Sequence, residues 1–405
     1  MKDTGSWARF GDPWLLGIAL LLALLGVGMI YSAGQVDVPS VATGIWVRQL
    51  VWVGIGLTGL LLLSRVPLRW LEWVAPWAYA VSVILLLVVL ILGTGPNARS
   101  WLALGPARLQ PAELAKLATI LLLARLLSGV QEAPARLAQL WRPVLIVFVP
   151  FALVLLQPDL GSALIFGVIL MASLYWTGVP LAKILLLVSP AVSLALGFSA
   201  VAWGVWFVLL ALFLYRHRPF IGESLAVVLA NVAGGVLTLP LWNSLAPYQQ
   251  NRLLVFLQPD ADPQGAAWHL IQSKVAIGSG GWLGQGFAQG AQKRLAFLPE
   301  QHTDFIFSVI GEELGFLGVL LFLLLLAAFL WRLLRIATNA TDDFGSLAVF
   351  CLFGMWFAHL TVNVGMTVGL TPITGLPLPF LSYGGSFLLM LFLGVAVAER
   401  IAAER

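Results

Sequence analysis

A polar island runs from Phe297 to Phe316, reading Phe-Leu-Pro-Glu-Gln-His-Thr-Asp-Phe-Ile-Phe-Ser-Val-Ile-Gly-Glu-Glu-Leu-Gly-Phe, between two apolar expanses. Only 10% of the 405 residues are charged, yet Glu300, His302, Asp304, Glu312 and Glu313 gather here. Asp304 puts a carboxylate where a helix begins, so it serves either as a cap that accepts a backbone N–H or as a reactive group. Two ionised glutamates facing lipid would cost about 2.5 kcal/mol or more each near the bilayer centre. The stretch 304–314 is therefore expected to be half-buried or re-entrant over a polar cavity, with the true span starting near Phe316. Eight residues apart, Asp304 and Glu312 share one broad helical face. Glu312 either lines the same cavity or supports a helix end.

A second cluster runs from Arg99 through Trp101 and Arg108 to Glu113 and Lys116. Pro111 and Glu113 suit the first turn of a helix, and Trp101 suits an interfacial anchor. Neither reading accounts for Arg108 and Lys116. In Gln157-Pro-Asp-Leu-Gly161, Pro158 stops one helix and Asp159 can cap the next. The broken stretch Pro377 to Ser386, with Ser382 in it, either bends around a ligand or turns. The four histidines, at 217, 269, 302 and 359, lack metal-ligand spacing, and Cys351 is a lone small core residue with no disulfide partner. No cofactor is required; a loosely held divalent cation such as magnesium, on carboxylates and a phosphorylated substrate, is compatible with these residues. No phosphate loop occurs, and no nucleic acid is expected as a partner.

The elements that must position these residues follow from composition. With 60% hydrophobic residues and a mean hydropathy of +0.97, the chain is an all-α, polytopic membrane helical bundle; alternating barrel strands are excluded. Spans are expected near 13–33, 46–64, 71–93, 113–129, 141–157, 160–178, 182–199, 200–215, 223–242, 316–335, 346–367 and 381–399, about 12 transmembrane helices in one domain, 1–405. The first run reads as a retained helix rather than a signal peptide. Lys2, Arg9, Arg65, Arg69, Arg125, Arg136, Arg142, Lys183, Arg216, Arg218, Arg332, Arg335, Arg400 and Arg405 fall on one face, so both the N- and C-termini are expected to be cytoplasmic. Against that rule, Arg99, Arg108, Lys116, Arg252, Lys274, Lys293 and Arg294 fall toward the other face, which points to an anionic ligand there. Segment 243–304 exceeds the length of an ordinary connection. Its apolar residues favour a large ordered extracellular loop whose amphipathic pieces pack on the membrane face.

The motifs Gln157-Pro-Asp-Leu-Gly161, Ala276-Ile-Gly-Ser-Gly-Gly281, Phe297-Leu-Pro-Glu300, His302-Thr-Asp-Phe-Ile-Phe307, Gly311-Glu-Glu-Leu-Gly-Phe316 and Pro377-Leu-Pro through Ser382-Tyr-Gly-Gly385 resemble those of the SEDS (shape, elongation, division and sporulation) family. The resemblance runs from about Trp14 to Ala398. The stretch Trp268 to Lys274 is similar to the elongation-type branch. The family usually has ten spans, so 182–242 is expected to contain an extra helical pair.

The resemblance implies a glycosyltransferase that polymerises lipid II, an undecaprenyl-diphosphate-linked disaccharide peptide, on the outer face of the bacterial plasma membrane during cell elongation. It implies that Asp304 is the essential catalytic group, that Trp101 and Glu113 have roles, and that a class B penicillin-binding protein is a partner, with other elongation-complex proteins. On that chemistry Asp304 acts as general base, and Arg108, Lys116, Arg252 and Lys274 are candidates to hold the diphosphate. His302, Glu312 and Ser382 complete the expected substrate-binding set. Two other readings are a lipid II flippase and a non-catalytic scaffold for a transpeptidase.

Overall fold

The computed structural model describes residues 11–37, 43–95, 99–105, 107–130, 134, 136–258, 267–295, 297–298 and 300–404. Lys2, Arg9 and Arg405 lie outside the described residues, as does 259–266 of the long segment. Fifteen helices follow in order: α1 (Pro13–Ala33), α2 (Ile45–Leu63), α3 (Leu68–Leu92), α4 (Pro111–Leu127), α5 (Trp141–Leu156), α6 (Leu160–Trp176), α7 (Leu181–Leu196), α8 (Ala200–His217), α9 (Ile221–Ser244), α10 (Pro247–Leu257), α11 (Trp268–Ser279), α12 (Ala291–Arg294), α13 (Ile306–Thr338), α14 (Asp343–Val368) and α15 (Gly385–Ala403). Every segment expected to span is helical, because lipid leaves a spanning backbone no other partner than itself. Among the described residues, nine helical segments are long and apolar enough to cross a membrane, and α6 and α7 are shorter apolar helices. Helix α4 carries Glu113 and Lys116 inside it. The protein is an all-α polytopic membrane protein.

One piece departs from pure helix. Strands β1 (Leu102–Leu104) and β2 (Ala107–Leu109) form an antiparallel hairpin, with Ala103 opposite Arg108. Gly105 sits at its tip with φ +63.

The core is built by α15 along α2, α3 along α4, and α13 along α14, with α14 also against α6. Helices α4, α14 and α15 are the most enclosed. At the end where α1 starts and α13 and α15 finish, Asp12 caps α1 by accepting the Leu15 N–H at 3.1 Å. The same carboxylate pairs with Arg332, and its own backbone N–H donates to Glu399 at 2.9 Å. Three helices are thereby pinned where their charges would otherwise be orphaned.

Helices α7, α8 and α9 stand apart. Helix α7 packs along α9, and Gly234 allows the close approach, since a Cβ there would fall 2.6 Å from Pro190 O; a Cβ at Gly235 would fall 2.2 Å from the Trp203 ring of α8. Asn231 is fully buried among them, donating to Ser189 Oγ at 2.7 Å and accepting from Trp206 Nε1 at 3.0 Å. Only 6% of the apolar window of α8 is buried, so that helix is a lipid-facing edge.

Candidate functional site

The polar island folds as two helical segments that meet at Gly315, where φ +64 and ψ −165 interrupt α13. A side chain there would bring Cβ within 2.3 Å of the Gly284 nitrogen, so the position needs glycine for both conformation and space. The break frees backbone groups, and the loop after α11 satisfies them. The carbonyls of Glu312 and Glu313 accept from the N–H groups of Gln285 and Gly286, each at 3.0 Å, while Phe316 N–H donates to Gly281 at 2.9 Å. The expected start of the true span near Phe316 matches this break.

Of the two roles expected of Glu312, lining a cavity or supporting a helix end, its contacts are those of the second. Its carboxylate accepts the backbone N–H groups of Gln292 at 2.7 Å and Lys293 at 3.3 Å, holding the start of α12. Glu313 is fully buried and paired with the buried Lys293 at 2.7 Å, and Ser32 Oγ donates to it at 2.6 Å. Both glutamates therefore work as fasteners between α13, α12 and α1.

Asp304 lies just before α13 and does not cap it; the cap position is Phe305, with no side-chain bond. Its backbone carbonyl is held by Asn363 Nδ2 at 3.0 Å, and the same amide group donates to Leu376 O at 2.8 Å. That bracket brings the segment around Gly375 beneath the carboxylate. A Cβ on Gly375 would stand 3.3 Å from Asp304 Oδ2 and 3.6 Å from Arg252 Nη1, so the two charged groups flank one point of bare backbone. Gly375 has φ +74. The Arg252 guanidinium, from α10, also lies 5.7 Å from the centre of the Tyr248 ring, and the Tyr248 hydroxyl donates to Pro158 O at 2.5 Å. Asp159 is close enough to act on Asp304 electrostatically. Its two oxygens cap α6 at Ser162 N–H, 2.9 Å, and accept from Gln110 Nε2 at 3.0 Å.

Burial pushes the Asp304 carboxyl up to about 6; Arg252 opposes the shift, while Glu300 and Asp159 add to it. His302 is half-buried, which lowers its pKa, and its Nε2 stands 3.9 Å from Glu300 Oε2. The Glu300 carboxylate opposes that shift. Ser382 is a brace: its hydroxyl donates to Thr303 O at 2.6 Å and accepts from Leu378 N–H at 2.8 Å, so it ties the 378–382 turn to the backbone just before Asp304.

The remaining expected site residues separate. Trp101 is half-buried and bridges Thr94 at the base of the hairpin, and Arg108 is exposed on β2. Lys116 is 1% exposed, bonded to Glu113 at 2.7 Å and 3.3 Å from His359 Nε2. That enclosure turns the Lys116 ammonium toward Glu113 and His359. The pair reaches the recess through His359, whose Nδ1 lies 3.1 Å from Pro377 O, two residues beyond Gly375. Lys274 is exposed and rests against Gly369; neither it nor Arg108 is among the charges acting on Asp304. Sequence reasoning missed Asn363, Tyr248 and Gly375 altogether. The glycine in Thr371-Pro-Ile-Thr-Gly375-Leu-Pro was the available signal. Among the described residues, no three His, Cys, Asp or Glu side chains converge on a metal position.

A bundle of apolar helices that brings one carboxylate beside one guanidinium, just ahead of the long helix α13, defines a polytopic membrane protein with a charged pair at one end. The chain belongs to the FtsW/RodA/SpoVE family of cell cycle proteins, whose profile matches residues 13–218 and 205–405. It is 34% identical over 400 residues to the peptidoglycan glycosyltransferase MrdB of Escherichia coli, covering 97% of this chain and 94% of the relative. It is 33% identical to the peptidoglycan glycosyltransferase RodA of Treponema pallidum, covering 97% and 98%. Among solved structures it is similar to a chain of a peptidoglycan synthase complex that coordinates polymerization and crosslinking, at TM-score 0.72 and 32% identity, covering 98% and 99%. RodA of Thermus thermophilus follows at TM-score 0.64 and 28% identity, covering 98% of each chain.

Proposed function

We propose that the protein is a peptidoglycan glycosyltransferase that joins lipid II units into glycan strands at the outer face of the plasma membrane. The observation that carries this reading is the convergence of Asp304 and Arg252 over the bare backbone of Gly375. Chain growth needs the 4-hydroxyl of one sugar to attack an anomeric carbon whose leaving group is a lipid-linked diphosphate. The hydroxyl oxygen forms the new bond, its proton passes to the Asp304 carboxylate, and the bond to the diphosphate oxygen breaks. A base within hydrogen-bond reach contributes about 10²–10⁴-fold. The diphosphate leaves as an anion, so a cation takes the part that an acid plays in a glycosidase. Arg252 is placed for that part, with Arg108 and Lys274 available to the rest of the headgroup. A single displacement inverts the anomeric centre.

The helices run so that Arg65, Arg69, Arg125, Arg136, Lys183, Arg218, Arg332 and Arg400 belong to the end away from Asp304, which by the positive-inside rule turns the recess outward. That orientation puts both termini and the α8–α9 turn in the cytoplasm and leaves segment 243–304 as an outer cap. In this reading twelve helices span, and α8 and α9 are the pair added to a ten-span core. The strands are handed to a class B penicillin-binding protein, in keeping with the solved relative taken from a complex that also crosslinks.

The test is reconstitution of the purified chain in vesicles with lipid II and no other glycosyltransferase. Glycan strands are the expected product. Lipid II scrambling between leaflets with no strands would replace the reading with a flippase.

A further inference from the structure

The strap between α14 and α15 cannot make its own hydrogen bonds where it is most enclosed. In Gly375-Leu-Pro-Leu-Pro379, Pro377 and Pro379 have no N–H to give to a helix or a ladder. Yet Leu376 and Leu378 are buried, and the backbone there is irregular. Such backbone is stable at membrane depth only where other groups of the protein satisfy it. Side chains do so at three residues in a row. Leu376 O accepts from Asn363 Nδ2 at 2.8 Å, Pro377 O lies 3.1 Å from His359 Nδ1, and Leu378 N–H donates to Ser382 Oγ at 2.8 Å. His359 and Asn363 are one turn apart on α14, so a single face of that helix grips two successive carbonyls.

The proton on His359 is fixed by what faces it. A carbonyl only accepts, so Nδ1 must carry the hydrogen toward Pro377 O. On the other side the Lys116 ammonium stands 3.3 Å from Nε2, paired with Glu113 at 2.7 Å. An ammonium only donates, so Nε2 must be the bare nitrogen. One tautomer, with its hydrogen on Nδ1, meets both demands. The ring is fully buried and stacks on Phe387 of α15, centroids 5.0 Å apart, which holds it in that orientation. Glu113, Lys116, His359 and Pro377 O thus form one hydrogen-bonded chain from α4 through α14 to the strap, which carries Gly375 to the Asp304 carboxylate.

We propose that His359 is a positioning residue: Lys116 holds it in the Nδ1–H tautomer, and that N–H holds the 375–377 backbone in place at Asp304. The Lys116 charge then acts on the site through the imidazole, without touching substrate. This role rests on the reaction proposed at Asp304, but the order of the strap is measured without it.

Two substitutions separate the two sides of the ring. Asparagine puts an amide N–H where Nδ1 was, and glutamine puts its amide near the place of Nε2, so His359→Asn keeps the tie to Pro377 O and His359→Gln loses it. Hydrogen–deuterium exchange of the purified full chain in micelles is read on peptides covering 369–384. His359→Asn matches wild type, and His359→Gln exchanges about 10–100-fold faster, because a buried carbonyl has lost its donor. With lipid II in vesicles, kcat of His359→Gln falls by up to about 100-fold while KM holds, and His359→Asn restores it. A merely structural imidazole would leave both variants equally impaired. Nitrogen-15 NMR of histidine-labelled wild type, with His359 assigned by its loss in His359→Asn, shows hydrogen on Nδ1 and none on Nε2. Equal exchange in the two variants, wild-type kcat in His359→Gln, or hydrogen on Nε2 of wild-type His359 would each overturn the proposal. A wild-type chain that makes no strands would instead remove the reaction, with exchange and NMR still deciding the strap.

Discussion

Asp304 and Glu313 belong to one polar stretch, nine residues apart, and the structure treats them in opposite ways. Glu313 is shut in with Lys293 and Ser32, all its charge answered by side chains of the protein. Asp304 is left beside bare backbone, with Arg252 across the same point and two other carboxylates near enough to raise its pKa. A buried charge that is fully paired holds elements together; one that is incompletely paired can still change its protonation state. On the proposed function, the difference separates the fasteners of this bundle from its reactive group.

The contrast can be broken most sharply at its two poles. Asp304→Asn should lower lipid II polymerisation by about 10²–10⁴-fold with the thermal unfolding midpoint unchanged, measured on purified protein in micelles. Lys293→Ala should do the reverse in kind, costing about 3–5 kcal/mol of stability because it leaves Glu313 buried and unpaired. Combining Lys293→Met with Glu313→Leu should restore most of that loss in the same unfolding assay. Arg252→Gln removes a charge-assisted contact worth about 1.5–3 kcal/mol, so kcat/KM for lipid II should fall roughly 10–100-fold while the fold persists. Gly315→Ala acts away from both poles: a backbone at φ +64, ψ −165 alone costs an alanine about 1–3 kcal/mol, and the clash of its Cβ with the Gly284 nitrogen adds to that. Its displaced Cβ should loosen the 281–286 loop, visible as faster proteolysis there.

Much of the bundle was legible because hydropathy reads spans directly, and the awkward pair Glu312 and Glu313 correctly signalled a break before Phe316. Asp159 was also readable as a cap. The β1–β2 hairpin was not, since its strands are three residues each. Nor could the recess be assembled from sequence. Arg252, Asp304, Asn363 and Gly375 lie on separate elements, and only tertiary packing shows that Arg252 reaches the carboxylate while Lys116 turns inward to Glu113 and His359. The general rule that cations on the outer face mark an anionic ligand could not tell a free guanidinium from an ammonium already paired inside the bundle.

The account rests on Asp304 accepting a proton as a carboxylate, and the pH dependence of kcat/KM for strand synthesis tests that most directly. Its pKa is raised to about 6 and is held down by Arg252. The rate should therefore climb with pH through an acid limb near 6, because the base works only when ionised. In Arg252→Gln, where the restraining cation is gone, that limb should move to higher pH. A limb that stays in place in the variant, or a wild-type rate that is flat across this range, would contradict the assignment.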